Sequence, residues 1–147
     1  MIDIGPYQLK NSLFLAPMVG GSDTPFREIC AQAGAGLTIA EMLTSNADLW
    51  KNERNRLKRI KPKSCGPHVV QIAGSDPQLM AQAAAMNAEF GADSIDINMG
   101  CPAKKVLKKA AGSALLKDKK LVERILTTVV ARVDVPVTLK KRTGWSP

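Results

Sequence analysis

The sequence is poor in the side chains that most hydrolytic sites are built from. It holds a single histidine, His68, in 147 residues. That residue stands early in an apolar strand-like run, so it reads as structural, and no Ser-His-Asp set can be assembled around it. There is no acidic pair of the kind glycosidases use. No cluster of His, Cys, Asp and Glu has metal-ligand spacing, so no metal is expected. The cysteines are Cys30, Cys65 and Cys101. An odd count at wide spacing argues against a disulfide framework and fits a reducing compartment. No apolar run approaches a membrane span, and no membrane partner is expected from the hydropathy. The first residues, Met1-Ile2-Asp3-Ile4-Gly5-Pro6, lack the basic-then-apolar order of a signal peptide. A cytoplasmic location is expected.

What is present is a core and an excess of positive charge. Hydrophobic residues make up 45% of the chain. Lys and Arg number 21 against 13 Asp and Glu, a net charge of +8. Such an excess favours polyanionic partners: nucleic acid, an anionic membrane surface or phosphorylated ligands. It does not choose among them. Lys51 to Lys63 forms one basic run, read as a solvated helix face. Lys104, Lys105, Lys108 and Lys109 form a second.

Short apolar strands alternate with helical stretches. The strands are expected at Leu13–Met18, Leu37–Met42, Pro67–Gly74, Ser94–Met99 and Val135–Lys140. The first helix is expected to bury Phe26, Ile29, Cys30 and Ala33, capped by Ser22, Asp23 or Thr24. A second begins at Ser45-Asn46 and runs through Leu49 and Trp50. A third spans about Pro77 to Phe90. A fourth, about Asp118 to Arg132, carries Leu121, Ile125, Val129 and Val130 as its stripe. This alternation predicts an α/β fold with a parallel sheet. Two architectures compete, an open doubly wound sheet and a TIM-type (β/α)8 barrel. The loop after Met18 has Gly20-Gly21 but no Gly-x-Gly-x-x-Gly, which weighs against a dinucleotide fold. A whole barrel takes about 250 residues. The expected fold is therefore the N-terminal part of a barrel, about five strand–helix units.

Within the strands, residues of one parity share a face. Ser94, Asp96 and Asn98 alternate with Ile95, Ile97 and Met99. Gln71 shares a face with Val69 and Ala73, and Lys140 with Thr138 and Arg142. If those faces point inward, Gln71, Asn98, Lys140 and Arg142 gather at one mouth. Cys101 follows just past Gly100, and Pro17-Met18 lies beside them. Alternation turns Lys141 the other way, towards the helix layer, where it would have to snorkel. A lysine beside an amide suits an electron-rich ring and can stabilise negative charge on a reduced flavin. Cys101 itself has a competing reading as a small buried hydrophobe.

The segments Ala16-Pro17-Met18, Val70-Gln71-Ile72-Ala73-Gly74, Asp96-Ile97-Asn98-Met99-Gly100-Cys101-Pro102 and Leu139-Lys140-Lys141-Arg142-Thr143-Gly144-Trp145 resemble those of bacterial tRNA-dihydrouridine synthases, nearest to the B-type branch. The likeness runs from about Gly5 to the last residue. It implies an FMN-dependent barrel that reduces the 5,6 double bond of uridine in tRNA with NADPH as reductant. By that likeness Cys101 is the general acid, protonating one uracil carbon after hydride reaches the other. Pro17, Met18 and Val19 would line the flavin, Gln71 would bond its ring edge, and Lys140 would steady its reduced form. Asn98 and Arg142 would hold the uridine, which must leave its stack. Lys104 and Lys105 would meet tRNA phosphates.

The resemblance also implies three further strand–helix units and a helical tRNA-binding domain after Pro147. The flavin-phosphate site is expected in that further part. Two other readings remain at this point. One is a flavin barrel acting on a small molecule. The other is an inactive truncated segment with a basic RNA-binding surface. The oligomeric state and the uridine position are not encoded in these motifs.

Overall fold

A computed structural model describes residues 2–63 and 66–145. It opens with a hairpin, β1 (Ile2–Ile4) and β2 (Tyr7–Leu9), paired antiparallel. Gly5 turns it at a φ of 55°, and the Pro136 ring occupies the place where a side chain on Gly5 would project. Leu9 packs with Leu37, Ile39 and Val69. The Tyr7 hydroxyl donates to Asp93 Oδ1 at 3.3 Å. The hairpin thus lies against the N-terminal ends of the parallel strands, and it was not foreseen.

The parallel strands follow as β3 (Phe14–Leu15), β4 (Leu37–Thr38), β5 (Leu43–Thr44), β6 (Val69–Ala73), β7 (Ser94–Met99) and β8 (Val137–Lys141). β3 pairs with β4, and β5, β6, β7 and β8 lie side by side in chain order. A bridge from Ile39 to Val69 joins the two groups. With β4 and β5 counted as one interrupted strand, each parallel strand neighbours the next in sequence, with no reversal of order. A doubly wound sheet must reverse, and a barrel wall must not. The helices are α1 (Thr24–Gln32), α2 (Glu53–Lys58), α3 (Pro77–Glu89), α4 (Lys104–Leu107) and α5 (Lys119–Val130). Short 3-10 turns cover Ala47–Lys51 and Gly112–Lys117.

Of the second expected strand, Leu37–Met42, only Leu37–Thr38 is regular strand (β4), and β5 begins just beyond its expected end. Ile39 pairs with Val69 and Leu43 with Ile72, so Ala40, Glu41 and Met42 stand against Val70 and Gln71 alone. The extra residue is a bulge, and it swaps the faces beyond it. Ile39 packs inward with Leu9, whereas Leu43 packs outward with the helix layer.

The core lies between sheet and helices. Val70, Ile72, Ile95, Ile97 and Met99 meet Met80, Ala83, Ala84, Ile125 and Val129. The small alanines of α3 let that helix approach the sheet closely. Asp76 caps α3 through Gln78 N and Leu79 N, both at 2.9 Å, with Pro77 at its first turn. Asp118 caps α5 through Leu121 N, and Asp23 caps α1 through Phe26 N.

Two expected apolar stripes need correction. On α1 the buried side chains are Arg27 and Ala31, while Phe26, Ile29 and Ala33 are exposed and Cys30 is half-buried. Among the described residues no element covers that outer face. On α5, Val130 is exposed because Ile125 and Val129 already complete the inward turn. The basic run is mostly solvated, but Lys58 pairs with buried Glu41 at 3.4 Å. Arg59 stacks over Phe90 at 3.7 Å and Trp50 at 4.9 Å, pinning α2 to α3.

His68 is buried just before β6. Its Nε2 lies 3.1 Å from the Arg59 carbonyl, which can only accept, so Nε2 carries the proton. Nδ1 is buried and has no hydrogen-bond partner among the described residues. Burial lowers the pKa of this ring below its ordinary 6.5. The unfolded chain then binds a proton that the folded chain resists. Stability from His68 is present above pH 6.5 and is lost as pH falls from there through the folded-state pKa. The urea midpoint is expected to fall between pH 7.5 and pH 5.5, roughly, and the His68→Gln variant to show a shallower fall. Equal pH slopes in the two proteins would contradict this.

Candidate functional site

The site grows out of one register row. Gln71 on β6 lies opposite Asp96 on β7, which lies opposite Thr138 on β8. One step further along, Asn98 lies opposite Lys140. Neighbouring strands sit under about 5 Å apart, so side chains in one row are within bonding reach. Gln71 Nε2 donates to Asp96 Oδ2 at 2.6 Å, and Thr138 Oγ1 donates to Asp96 Oδ1 at 2.6 Å. Asn98 Nδ2 donates to Gln71 Oε1 at 2.9 Å. Asp96 is 2% exposed. Burial raises its pKa, and the Thr138 and Gln71 hydrogen bonds and the Lys140 charge oppose that shift.

The chain then leaves the strand and is held from several sides. Asn98 Oδ1 accepts from Gly100 N at 3.2 Å and from Cys101 N at 3.0 Å. The Cys101 carbonyl accepts from Ser113 N at 3.1 Å and Ser113 Oγ at 3.2 Å. Arg142 Nε donates to the Gly100 carbonyl at 3.0 Å. Gly112 has a φ of 65°, and a Cβ there would stand 2.5 Å from the Cys101 oxygen. Cys101 is half-buried and its thiol is free.

These residues enclose an open cavity of about 630 Å³, a volume usual for cofactor sites. Pro17, Val19, Gln71, Asn98, Cys101, Lys105, Lys140 and Arg142 all line it. The sequence reading placed each of these at one site. Two others that it named lie outside the lining. Met18 is held by a tight turn, with its N–H and carbonyl both bonded to Ser22 Oγ, and its side chain is 44% exposed. Lys104 opens α4 on the solvent side, while Lys105 reaches the cavity rim.

Lys141 also lines the cavity and is exposed, contrary to the alternation argument. It is the last residue of β8, where pairing ends and the pleat no longer dictates direction. Met42 was missed because only the bulge brings it to the rim, and its sulfur lies 3.7 Å from Asn98 Nδ2. Asp96 and Thr138 were left out of the expected set. Their shared parity with Asn98 and Lys140 was the available signal.

A second open cavity, of about 620 Å³, adjoins the first and shares Val19, Met42, Lys105 and Val106 with it. Asn46, Asn52, Asn55, Lys58 and Lys109 line its far part. The two form one groove with cations along the α4 side. Among the described residues, no group of three or more His, Cys, Asp or Glu side chains could hold a metal ion. Nor, among them, is any helix long and apolar enough to cross a membrane.

A family model described as dihydrouridine synthase (Dus) matches residues 14–147. The chain belongs to the dihydrouridine synthase family. Its similarity to curated members is high along nearly its whole length. It is 60% identical over 144 residues to the tRNA-dihydrouridine synthase B of Pseudomonas syringae pv. tomato, covering 98% of this chain and 43% of that protein. Against the tRNA-dihydrouridine synthase B of Proteus vulgaris the identity is 60%, covering 98% and 45%. Against that of Escherichia coli K12 it is 58%, covering 98% and 45%. The chain thus spans under half the length of these dihydrouridine synthases. The B-type resemblance read from the four motifs agrees with these relatives.

The Gly112 contact gives a direct test of how the cysteine loop is held. Gly112→Ala combines a left-handed backbone angle with a clash on the Cys101 carbonyl. With Cys30 and Cys65 replaced by Ser, alkylation of Cys101 should speed up about threefold or more, with stability lower by about 1–2 kcal/mol. An unchanged alkylation rate would show that Gly112 does not fix the loop.

Proposed function

We propose that this chain is the part of a tRNA-dihydrouridine synthase that presents the proton donor and the flavin ring pocket. The observation that carries the proposal is that Cys101, Gln71 and Lys140 line a single cavity. They come from the loop after β7, from β6 and from β8, and nothing but the barrel-like strand order brings them together. We take the fold to be the first five staves of a (β/α)8 barrel. The remaining staves and a helical RNA-binding domain would follow in the longer relatives' pattern.

The residues present fit an FMN ring. Gln71 Nε2 has one hydrogen on Asp96 and a second that is not used within the wall. That donor suits an acceptor atom on the flavin edge. Lys140, exposed at the mouth, supplies a positive charge where the reduced ring carries negative charge. Pro17 and Val19 give an apolar side wall. When bound, the flavin supplies the hydride, with NADPH as the source of reducing equivalents. The chain's own part is to seat the uracil and to deliver the proton. The Cys101 thiol gives its proton to the uracil carbon that hydride does not reach. Its backbone is fixed by Asn98 and Ser113, so the sulfur is presented from a defined position.

Asn98 acts here mainly on the loop. Its second N–H points at the Met42 sulfur, a weak acceptor that a uracil carbonyl would displace. Arg142 joins the same wall through Gly100 and can hold the uridine's phosphate or base edge. Lys105, with Lys109 along the groove, would carry the tRNA backbone beside the extruded nucleotide. We take the reaction to be cytoplasmic, in keeping with a tRNA substrate.

In the full-length protein Cys101→Ala should retain FMN and lose at least about 100-fold in tRNA turnover, the scale of a general acid. Turnover near the parent's would remove Cys101 as the donor. Lys105→Ala should weaken tRNA binding and flatten its dependence on salt by about one phosphate contact. An unaltered salt slope would move the RNA path elsewhere, and tight binding of a free pyrimidine with no affinity for tRNA would favour a small-molecule enzyme.

A further inference from the structure

The hydrogen bonds that link the Cys101 amide to Asp96 run in one direction. Cys101 N gives to Asn98 Oδ1, Asn98 Nδ2 to Gln71 Oε1, and Gln71 Nε2 to Asp96 Oδ2. Thr138 Oγ1 gives to the other oxygen of Asp96. The direction has a cause. An ionised carboxylate only accepts, whereas a side-chain amide has one accepting and one donating end. Asp96 therefore obliges Gln71 to turn its nitrogen towards β7 and its oxygen towards Asn98. That in turn obliges Asn98 to give its nitrogen to Gln71 and its oxygen to the loop.

We propose that Asp96 is a positioning residue, which from behind the pocket wall sets the amide orientation of Gln71 and Asn98 and, through them, the backbone of Cys101. It does not itself meet a ligand, being buried and outside the cavity lining. The link from Asp96 to the Cys101 amide passes through only those two side chains. The cofactor pocket and the proton donor are thus held by one polar ladder. A carboxylate with no such ladder would be costly to bury. The Gly100 and Cys101 N–H groups, which can only donate, fix the same direction from the loop end, so the carboxylate and the loop hold the two amides between them. The orientation itself stands on the wall geometry. The statement that its free N–H meets the flavin rests on the proposed function.

The test uses the full-length protein without cofactor, with labelled Asn and Gln side chains. Asp96→Ala should shift the Gln71 side-chain amide signals and raise hydrogen exchange at the Cys101 N–H by about tenfold or more, and should weaken FMN binding by a similar factor. Thr138→Val removes a donor to the same carboxylate but leaves Gln71 its acceptor. It should therefore keep the Gln71 signals and the Cys101 exchange within about twofold of the parent, even if stability falls. A role in stability alone would make the two variants alike. Folded Asp96→Ala with parental Gln71 signals and Cys101 exchange would overturn the proposal, as would Thr138→Val behaving like it. Should Asp96→Ala not fold, Asp96→Leu combined with Thr138→Val replaces the carboxylate and its second donor by apolar groups and leaves Gln71 no acceptor, and its Cys101 exchange must rise severalfold; parental exchange would overturn the proposal. A parent protein with no affinity for FMN would sink the flavin reading, while the exchange comparison still decides Asp96.

Discussion

The buried Asp96 carboxylate, bonded at 2.6 Å to Gln71 on one side and Thr138 on the other, is the constraint around which this wall is arranged. A charge that deep is tolerable only where donors meet it. The donors come from the two flanking strands, so the row forms only if β6, β7 and β8 are parallel and in this register. A one-residue slip of β7 would put Ile97 among these polar groups and drive Asp96 into the Met80 and Ile125 core. The same row that suits a pocket floor therefore also specifies the sheet.

Much of this was legible in the sequence, and for a definite reason. Period-2 alternation in Ser94–Met99 marks a strand with one polar face, and the structure gives β7 those bounds. Capping residues Asp76 and Asp118 sit where their side chains can reach free amides, so α3 and α5 begin as expected. What failed lies where alternation or helical spacing stops being the rule. The bulge at Ala40–Met42 adds a residue, and nothing in Leu37–Met42 announces it. The N-terminal hairpin depends on contacts with Pro136 and Asp93, far along the chain. Phe26 and Ile29 look like a core stripe, yet burial is settled by what lies opposite, and here Arg27 and Ala31 are the buried residues of the helix.

The candidate site shows the same division. Cys101, Gln71, Asn98 and Lys140 could be named together because parity and strand ends are local properties of sequence. Met42, Lys141 and the clamp from Ser113 could not, because each depends on a break in regular structure. Met18 shows the converse, since a motif placed it at the site and a turn around Ser22 carries it away. Chemically, the arrangement divides its labour. In the proposed function the interior row sets orientation, the loop presents a thiol, and the lysines that line the adjoining groove offer charge to a polyanion.

The central claim is that one cavity wall holds both a flavin ring and the proton donor that works beside it. The most direct measurement is a crystal structure of the full-length protein with FMN bound. The account predicts the ring in the cavity between Pro17 and Lys140, with Gln71 Nε2 within hydrogen-bonding distance of an acceptor on its edge and the Cys101 side chain open to the space over its face. A ring seated elsewhere, or a Gln71 amide turned with its oxygen towards Asp96, would contradict it.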